Sequence, residues 1–313
     1  MDTTYITSQT KRQQPCVATV GFFDGVHRGH KYLISHVTAD AKAMGLRSVV
    51  VTFDNHPRQA LCSDYVPQRL TTIEGKLRLL SETGIDETAV LHFDKAMAGL
   101  SARDFMRDIL KDRLNVVRLV IGYDNRFGHN RAEGFDDYVR YGRELGIEVV
   151  HNNAFILQGR NVSSSLIRRY LAEGEVEMAS AALGYNYSIA GRVVGGYHEG
   201  RILGFPTANI NNDDGLMLPA PGVYAVRAKV EGEAATHHAM MNIGTRPTFG
   251  GTKTTLETNI FDFDENIYGK TLKVSFAHRI RQERRFDSPE ELKEQLVRDR
   301  ETIEKQFEKD NDL

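Results

Sequence analysis

The sequence predicts an α/β protein in two parts: an N-terminal doubly wound parallel sheet, then a small antiparallel β-barrel with a terminal helix. Three observations carry this. Up to about residue 185, strand-like runs alternate with helical segments, the pattern of a parallel sheet covered on both faces. Beyond that point short runs rich in β-branched residues and tyrosine follow one another with Gly, Pro and Asn between them, as in a barrel or sandwich. Last, Ser288, Pro289 and Glu291 have the spacing of a capping box with proline at the first helical position. With 313 residues the chain is long enough for about two domains at roughly 150 residues apiece, placed here at 15–185 and 186–313.

Composition narrows the function. Forty basic against forty-two acidic side chains give a net charge of -2, so no global field draws the protein to nucleic acid or to an anionic membrane. Any phosphate binding must be local. Apolar runs such as Val49 to Val51 are far shorter than the roughly 20 residues of a membrane helix. The opening MDTTYITSQTKRQQP lacks the apolar core of a signal peptide, and residues 1–14 read as a polar, mobile leader. Cys16 and Cys62 form no CxxC pair, which suits a reducing cytoplasm.

The first strand is Val17 to Val20, and GFFDGVHRGH, Gly21 to His30, follows it directly. Leu33, Ile34, Val37, Ala41 and Met44 then fall on one side of a helix, so the decamer is a tight turn between strand and helix. His27 and His30, three apart, share one face of the first helical turn. Gly29 removes a side chain where phosphates need to approach the backbone, and amides at a helix N-terminus favour anions. A triphosphate is the natural guest, with imidazole N–H groups donating to phosphorus-bound oxygens as charge grows there. A bare HxxH pair also occurs on solvated helices. It can be half a zinc site too, although no third His, Cys or carboxylate stands nearby at ligand spacing. The whole decamer after a strand is the more specific signal.

Later strands are expected at Ser48–Phe53, Ala89–Phe93, Val116–Ile121 and Glu148–His151, with Phe105, Ile109 and Leu110 marking a helical face between them. Ligands of such sheets bind beyond the carboxyl ends of the strands. After the second strand comes TFDNHPR, where Pro57 stops regular structure and His56 and Arg58 can meet a phosphate, or simply form a loop. After the fourth comes GYDNRFG, whose Asp124 is placed to accept from a ribose hydroxyl or an adenine amine, or to form a turn. In NVSSSLIRRYL the hydroxyls of Ser163, Ser164 and Ser165 precede Arg168. They make either a second anion site for a pyrophosphate leaving group or a plain helix cap. Residues 173–185 read as a closing helix that ends at Gly184.

Taken together and in order, these stretches resemble the HxGH nucleotidylyltransferase motif set of the bacterial bifunctional riboflavin kinase/FMN adenylyltransferases. The matching residues are Gly21, Phe23, Asp24, Gly25, His27, Gly29 and His30; Thr52, Phe53, His56 and Pro57; Gly122, Asp124, Arg126, Phe127 and Gly128; and Ser163, Ser164, Ile167 and Arg168. Asn55 stands where the family has proline, Asn125 where it has phenylalanine, and Ser165 where it has threonine. The resemblance implies a Rossmann-like nucleotidylyltransferase domain with His27, His30 and Arg168 catalytic. It assigns Gly21, Phe23, Asp24, Gly29, Asp124 and the three serines to the nucleotide, and His56 and Arg58 to the flavin.

In the second half, strands are expected at Tyr187–Val194, Val223–Val230, His238–Ile243, Thr254–Phe263 and Thr271–Ile280. In GRILGFPTANI, Thr207 and Asn209 are two apart in an extended segment, so both point to one face. A hydroxyl and an amide oxygen are hard neutral ligands that Mg²⁺ accepts when phosphates complete its shell; a buried turn satisfied internally is the other reading. Glu257 sits mid-strand, either facing solvent or placed as a base for an attacking alcohol. Gly269-Lys270-Thr271 lacks the upstream glycine of a Walker loop.

This half is similar to riboflavin kinases at Gly200 to Asn209, at Gly222, Val223 and Tyr224, at Asn242 to Phe249, at Glu257, at Tyr268 and Gly269, and at Arg281, Glu283 and Phe286. Asn259 replaces a histidine. The resemblance implies metal ligation by Thr207 and Asn209, nucleotide contacts at Gly204 and Pro206, Glu257 as base, and a flavin flap at Arg281 to Phe286. The expected enzyme phosphorylates riboflavin to FMN with MgATP in the barrel. It then joins FMN to AMP from a second ATP, giving FAD and pyrophosphate, in the N-terminal half. Its partners are these small molecules, with no nucleic acid and no membrane. A nucleotidylyltransferase for another phosphate-bearing acceptor and a flavin or nucleotide sensor without turnover are kept open by Asn55, Asn125 and Asn259.

Overall fold

Short apolar runs bounded by turn residues line up side by side in the first half of the chain. The computed structural model describes residues 1–55, 68–195, 200, 203–248 and 251–311, and it separates into two units, Met1–Ser164 and Ser165–Leu313. The first unit holds β1 (Asp2–Ile6), β2 (Cys16–Val20), β3 (Arg47–Phe53), β4 (Glu87–Leu91), β5 (Val116–Ile121) and β6 (Glu148–His151). These six lie in the order β1-β4-β3-β2-β5-β6 with every neighbouring pair parallel. All residues of β2 and β4 are buried, as parallel strands covered on both faces must be. The strand order reverses at β2, which has β3 on one side and β5 on the other. Its carboxyl end is therefore the switch point where open α/β sheets bind ligands.

Helices α1 (Arg28–Met44), α2 (Ile73–Ser81), α3 (Lys95–Ala98), α4 (Ala102–Phe105) and α5 (Phe135–Leu145) connect the strands. A π-helical turn, Met106–Lys111, continues α4. A small hairpin of β7 (Ile156–Leu157) and β8 (Arg160–Asn161) turns through Gln158 and Gly159, whose φ of 49° and 74° fit a two-residue primed turn.

Two expectations for this unit need correction. The leader is not free: β1 pairs with β4 from Asp2↔Glu87 to Ile6↔Leu91, and Arg12 bonds the Glu87 carboxylate. An edge strand whose residues are mostly exposed shows no apolar signature, because its cohesion comes from backbone pairing rather than side-chain burial. The strand expected at Ala89–Phe93 runs Glu87–Leu91 instead, since the Asp54 carboxylate takes the Phe93 N–H at 3.1 Å and draws it out of the ladder.

The second unit opens with α6 (Ser164–Glu173), which begins at the boundary, and α7 (Val176–Leu183). The closing helix is thus α7 alone, ending at Gly184 with φ 78°. Strands β9 (Ser188–Val194), β10 (Ala208–Ile210), β11 (Gly222–Val230), β12 (His237–Thr248), β13 (Gly251–Ile260) and β14 (Thr271–Arg281) form a closed barrel ordered β10-β13-β12-β11-β14-β9. Helix α8 (Pro289–Asn311) buries Ile303 and Phe307 against Val223, Ala225 and Met240. Ser288 Oγ accepts from Glu291 N at 3.1 Å, but the Glu291 carboxylate takes the N–H of Asp287, so the expected box is displaced by one residue.

The seam between β9 and β10 requires a glycine. A Cβ at Gly191 would stand 1.8 Å from the Asn211 carbonyl oxygen. Gly191→Ala is expected to destabilise the barrel by about 3 kcal/mol, read as a lower urea midpoint for its transition.

Candidate functional site

The turn leaving β2 is held in a conformation that most residues avoid. Phe23, Gly25 and Val26 have φ of 54°, 81° and 34°. Non-glycine residues persist there only where their surroundings over-determine them. Here the Asp24 carboxylate, 3% exposed, accepts from Leu70 N at 3.0 Å, Thr71 N at 3.1 Å and Thr71 Oγ1 at 3.2 Å. Asp24 therefore pins the turn to the start of α2. A Cβ at Gly21 would meet the Phe23 ring at 3.0 Å, and that ring meets His30 edge-on at 5.0 Å.

His27 ends the turn as the N-cap of α1, its Nδ1 accepting from His30 N at 3.2 Å. One of the helix-start amides expected to face an anion is thus already used. Because Nδ1 accepts, the neutral ring carries its proton on Nε2. The two imidazoles stack at 3.5 Å with 17° between their planes. Burial, then the nearby His27 and Lys76, hold the His30 pKa well below the usual imidazole range. His30 is therefore neutral near pH 7, a donor rather than a cation. Its Nδ1 is buried with no hydrogen-bond partner among the described residues.

The hydroxyl run meets this turn. Ser164 Oγ donates to Asp24 O at 2.9 Å, and a Cβ at Gly29 would stand 3.0 Å from Val162 O. Ser163 is half-buried, Ser165 is exposed, and Arg168 follows one helical turn after Ser164, half-buried. In the GYDNRFG loop Asp124 is exposed, while Asn125 Nδ2 donates to Val20 O and so ties the loop to the end of β2. That asparagine departure has a structural use. His56 and Arg58 lie outside the described residues.

Barrel strands, the segment after β14 and α8 border a partly open cavity of about 320 Å³ whose polar lining includes Thr207, Asn242, Glu257, Asn259, Arg281 and Glu283, with Phe286 among its apolar walls. Asn209 is not among the lining residues but pairs directly across from Glu257, so the two side chains share a face of the sheet. Gly204 takes φ 85°, and Phe205 N bonds Gly200 O at 2.8 Å, which closes the loop before β10. Asn259 Nδ2 donates to Pro206 O at 2.7 Å, so this departure too holds a loop in place. The Arg281 guanidinium grips the buried Asp299 of α8, with Nε at 2.9 Å and Nη2 at 2.8 Å from the same carboxylate oxygen. The Arg281 and Arg284 guanidinium groups lie 5.6 and 4.5 Å from the Phe286 ring centre. The side chains of Arg246 to Phe249 lie outside the described residues. Among the described residues no group of three His, Cys, Asp or Glu can hold a metal ion, so a hard cation here would depend on hydroxyl and amide oxygens together with its own phosphates.

Two residues escape a sequence reading. Lys76 looks like any helical lysine, yet it stands three and four residues before the buried Leu79 and Leu80, on the apolar face of α2. Asp299 is one acidic residue among many on α8 and is 2% exposed. In each case the signal is a charge at an apolar helical position.

The chain matches a family model described as FAD synthetase over residues 9–166 and one described as riboflavin kinase over residues 183–307. It is 38% identical over 295 residues to the bifunctional riboflavin kinase/FMN adenylyltransferase of Escherichia coli K12, covering 94% of both chains. The Bacillus subtilis 168 protein of the same name is 34% identical over 304 residues, covering 95% of this chain and 94% of its own. A solved Streptococcus pneumoniae structure, named a macrolide-efflux protein, has a TM-score of 0.87 and 32% identity across 97% of this chain and 99% of that one. Among the described residues no helix is long and apolar enough to cross a membrane.

Proposed function

Because the chain belongs to the bifunctional riboflavin kinase/FMN adenylyltransferase family, we propose that its two activities use two separate residue sets, one on the turn after β2 and one in the barrel cavity. The enzyme phosphorylates riboflavin to FMN and adenylylates FMN to FAD, with the FAD synthetase part N-terminal and the kinase part C-terminal.

In the kinase step the ribityl hydroxyl of riboflavin attacks the γ-phosphorus of ATP, and ADP leaves. Glu257 accepts the hydroxyl proton, while Arg281 and Phe286 border the flavin side of the cavity. Thr207 and Asn209 offer hard oxygens that fit Mg²⁺, which when bound would neutralise charge on the phosphates. Gly204 and Pro206 shape the nucleotide loop.

In the adenylyl step a phosphate oxygen of FMN bonds to the α-phosphorus of ATP. The bond to the β-phosphate oxygen breaks, and pyrophosphate leaves with the electron pair. FMN phosphate is already ionised, so no side chain need act as nucleophile or base. His27 and His30 donate to the phosphates, Ser163, Ser164, Ser165 and Arg168 hold the leaving group, and Asp124 meets the nucleoside. Gly21, Phe23, Asp24 and Gly29 fix the turn, and His56 and Arg58 serve the flavin.

The observation that most supports this division is that Thr207, Glu257, Arg281 and Phe286 border a single cavity. We assign α6 and α7 to the adenylyl half, with its boundary at residue 185. A reducing cytoplasm fits the buried free thiol of Cys16, which burial pushes up to about 11 and so leaves unreactive. Given riboflavin and MgATP, the purified protein is expected to accumulate FMN and then FAD on chromatography. A protein that binds flavin but yields neither would be a sensor.

A further inference from the structure

A buried cation stands behind the turn 21–30. Lys76 is 3% exposed, and its Nζ donates to Phe53 O at 2.7 Å, Phe22 O at 3.1 Å and Thr52 Oγ1 at 3.2 Å. It also lies 4.4 Å from the centre of the Phe22 ring. An ammonium has three donors, and here all three are used. Such a group is kept in the interior only when acceptors compensate its lost hydration.

The acceptors belong to two different places. Phe22 is on the turn, while Thr52 and Phe53 end β3, so the ammonium joins the turn to the neighbouring strand end. The helix that carries Lys76 is fixed by the same turn through Asp24 and the amides of Leu70 and Thr71. The charged groups that bear on Lys76 are Asp24 from the turn, Asp54 beyond β3 and Arg69 ahead of α2; on the α1 side stands His30. Burial, aided by Arg69, brings the ammonium down to about 8 against the opposing pull of Asp24 and Asp54. It is thus charged near pH 7, and its charge is one reason that His30 stays neutral.

On the reading that the turn 21–30 performs adenylyl transfer, we propose that Lys76 is a positioning residue of that step. Its ammonium clamps the turn to β3 and places a fixed positive charge near His30, which then meets the ATP phosphates as a neutral donor. Lys76 exchanges no proton with the reactants.

The test uses the full-length protein, with FAD formation from FMN and MgATP followed beside riboflavin phosphorylation across pH. For the wild type, kcat for FAD formation is expected to fall as pH rises past about 8, a limb that the kinase activity does not share. The titration of Lys76 does not itself destabilise the fold, and circular dichroism over the same pH range separates the limb from unfolding driven by groups such as the buried Cys16 thiol. A lysine with a lowered folded pKa binds protons more weakly than in the unfolded chain, so its contribution to stability rises with pH between about 8 and the ordinary value of 10.5. Lys76→Arg keeps the charge and is expected to move the limb up by at least about one pH unit. Lys76→Met is expected to lower kcat for FAD formation about 100-fold at pH 7, more than it changes KM for ATP, and to remove the limb.

An unshifted limb in Lys76→Arg, or a Lys76→Met kcat within about twofold of wild type, would overturn the proposal. Should Lys76→Met lose its N-terminal thermal transition, the wild-type and Lys76→Arg profiles decide alone. A His30→Ala control separates the two claims. If it spares FAD formation, the assignment of the turn fails and this proposal with it; if it abolishes FAD formation while Lys76→Met does not, only the role of Lys76 fails.

Discussion

Replacing His30 with alanine is expected to lower kcat for FAD formation from FMN and ATP by about 10²- to 10³-fold while riboflavin phosphorylation continues at its normal rate. His30 is held by two ring contacts, stacked on His27 at 3.5 Å and edge-on to Phe23 at 5.0 Å, and both partners are themselves buried. Its position is therefore set before substrate arrives. A preaimed donor loses no free energy to reorganisation when charge develops on the transferring phosphoryl group, which is why removing one costs so much rate. The cap on α1 survives the change, because it uses the backbone N–H of residue 30 and the ring of His27. The loss should thus appear in kcat rather than in folding. Equal loss of both activities would argue for one shared site.

Changing Glu257 to glutamine should have the opposite selectivity. FMN formation from riboflavin is expected to fall by about 10²- to 10⁴-fold, with FAD formation from supplied FMN unchanged. Glu257 lines the barrel cavity and lies opposite Asn209 on β10 and Asn242 on β12. Glutamine keeps the size and the carbonyl oxygen but cannot take up the proton that the ribityl hydroxyl must lose. Positioning and metal carry much of phosphoryl transfer, so residual activity near the lower end of the range is compatible with this role. Kinase rates equal to wild type would remove Glu257 from the mechanism.

The parts of the fold that could be read in the sequence are those specified by neighbours along the chain. The strand–turn–helix at residues 16–44, the αL glycine ending α7 and the proline-led α8 all rest on local periodicity and capping chemistry. What was hidden depends on pairs far apart. The Asp24 carboxylate takes the amides of Leu70 and Thr71, a pairing that no pattern along the chain foretells. The polar strand β1 gains its place from β4, more than eighty residues away. Asn125 and Asn259 depart from the family pattern, yet each amide holds a backbone carbonyl, of Val20 and Pro206. A motif comparison scores such positions as mismatches because it counts identity, whereas folding requires only that the carbonyl find a donor.

The ring nitrogen of His27 that opens α1 has a wider consequence. One imidazole serves at once as the first fastening of a seventeen-residue helix and as the ring stacked on His30, so its orientation is inherited from helix initiation rather than adjusted on its own. A variant that lost this side chain would lose the helix cap and the partner ring of His30 together. The ring pair and the start of the helix can therefore change only together.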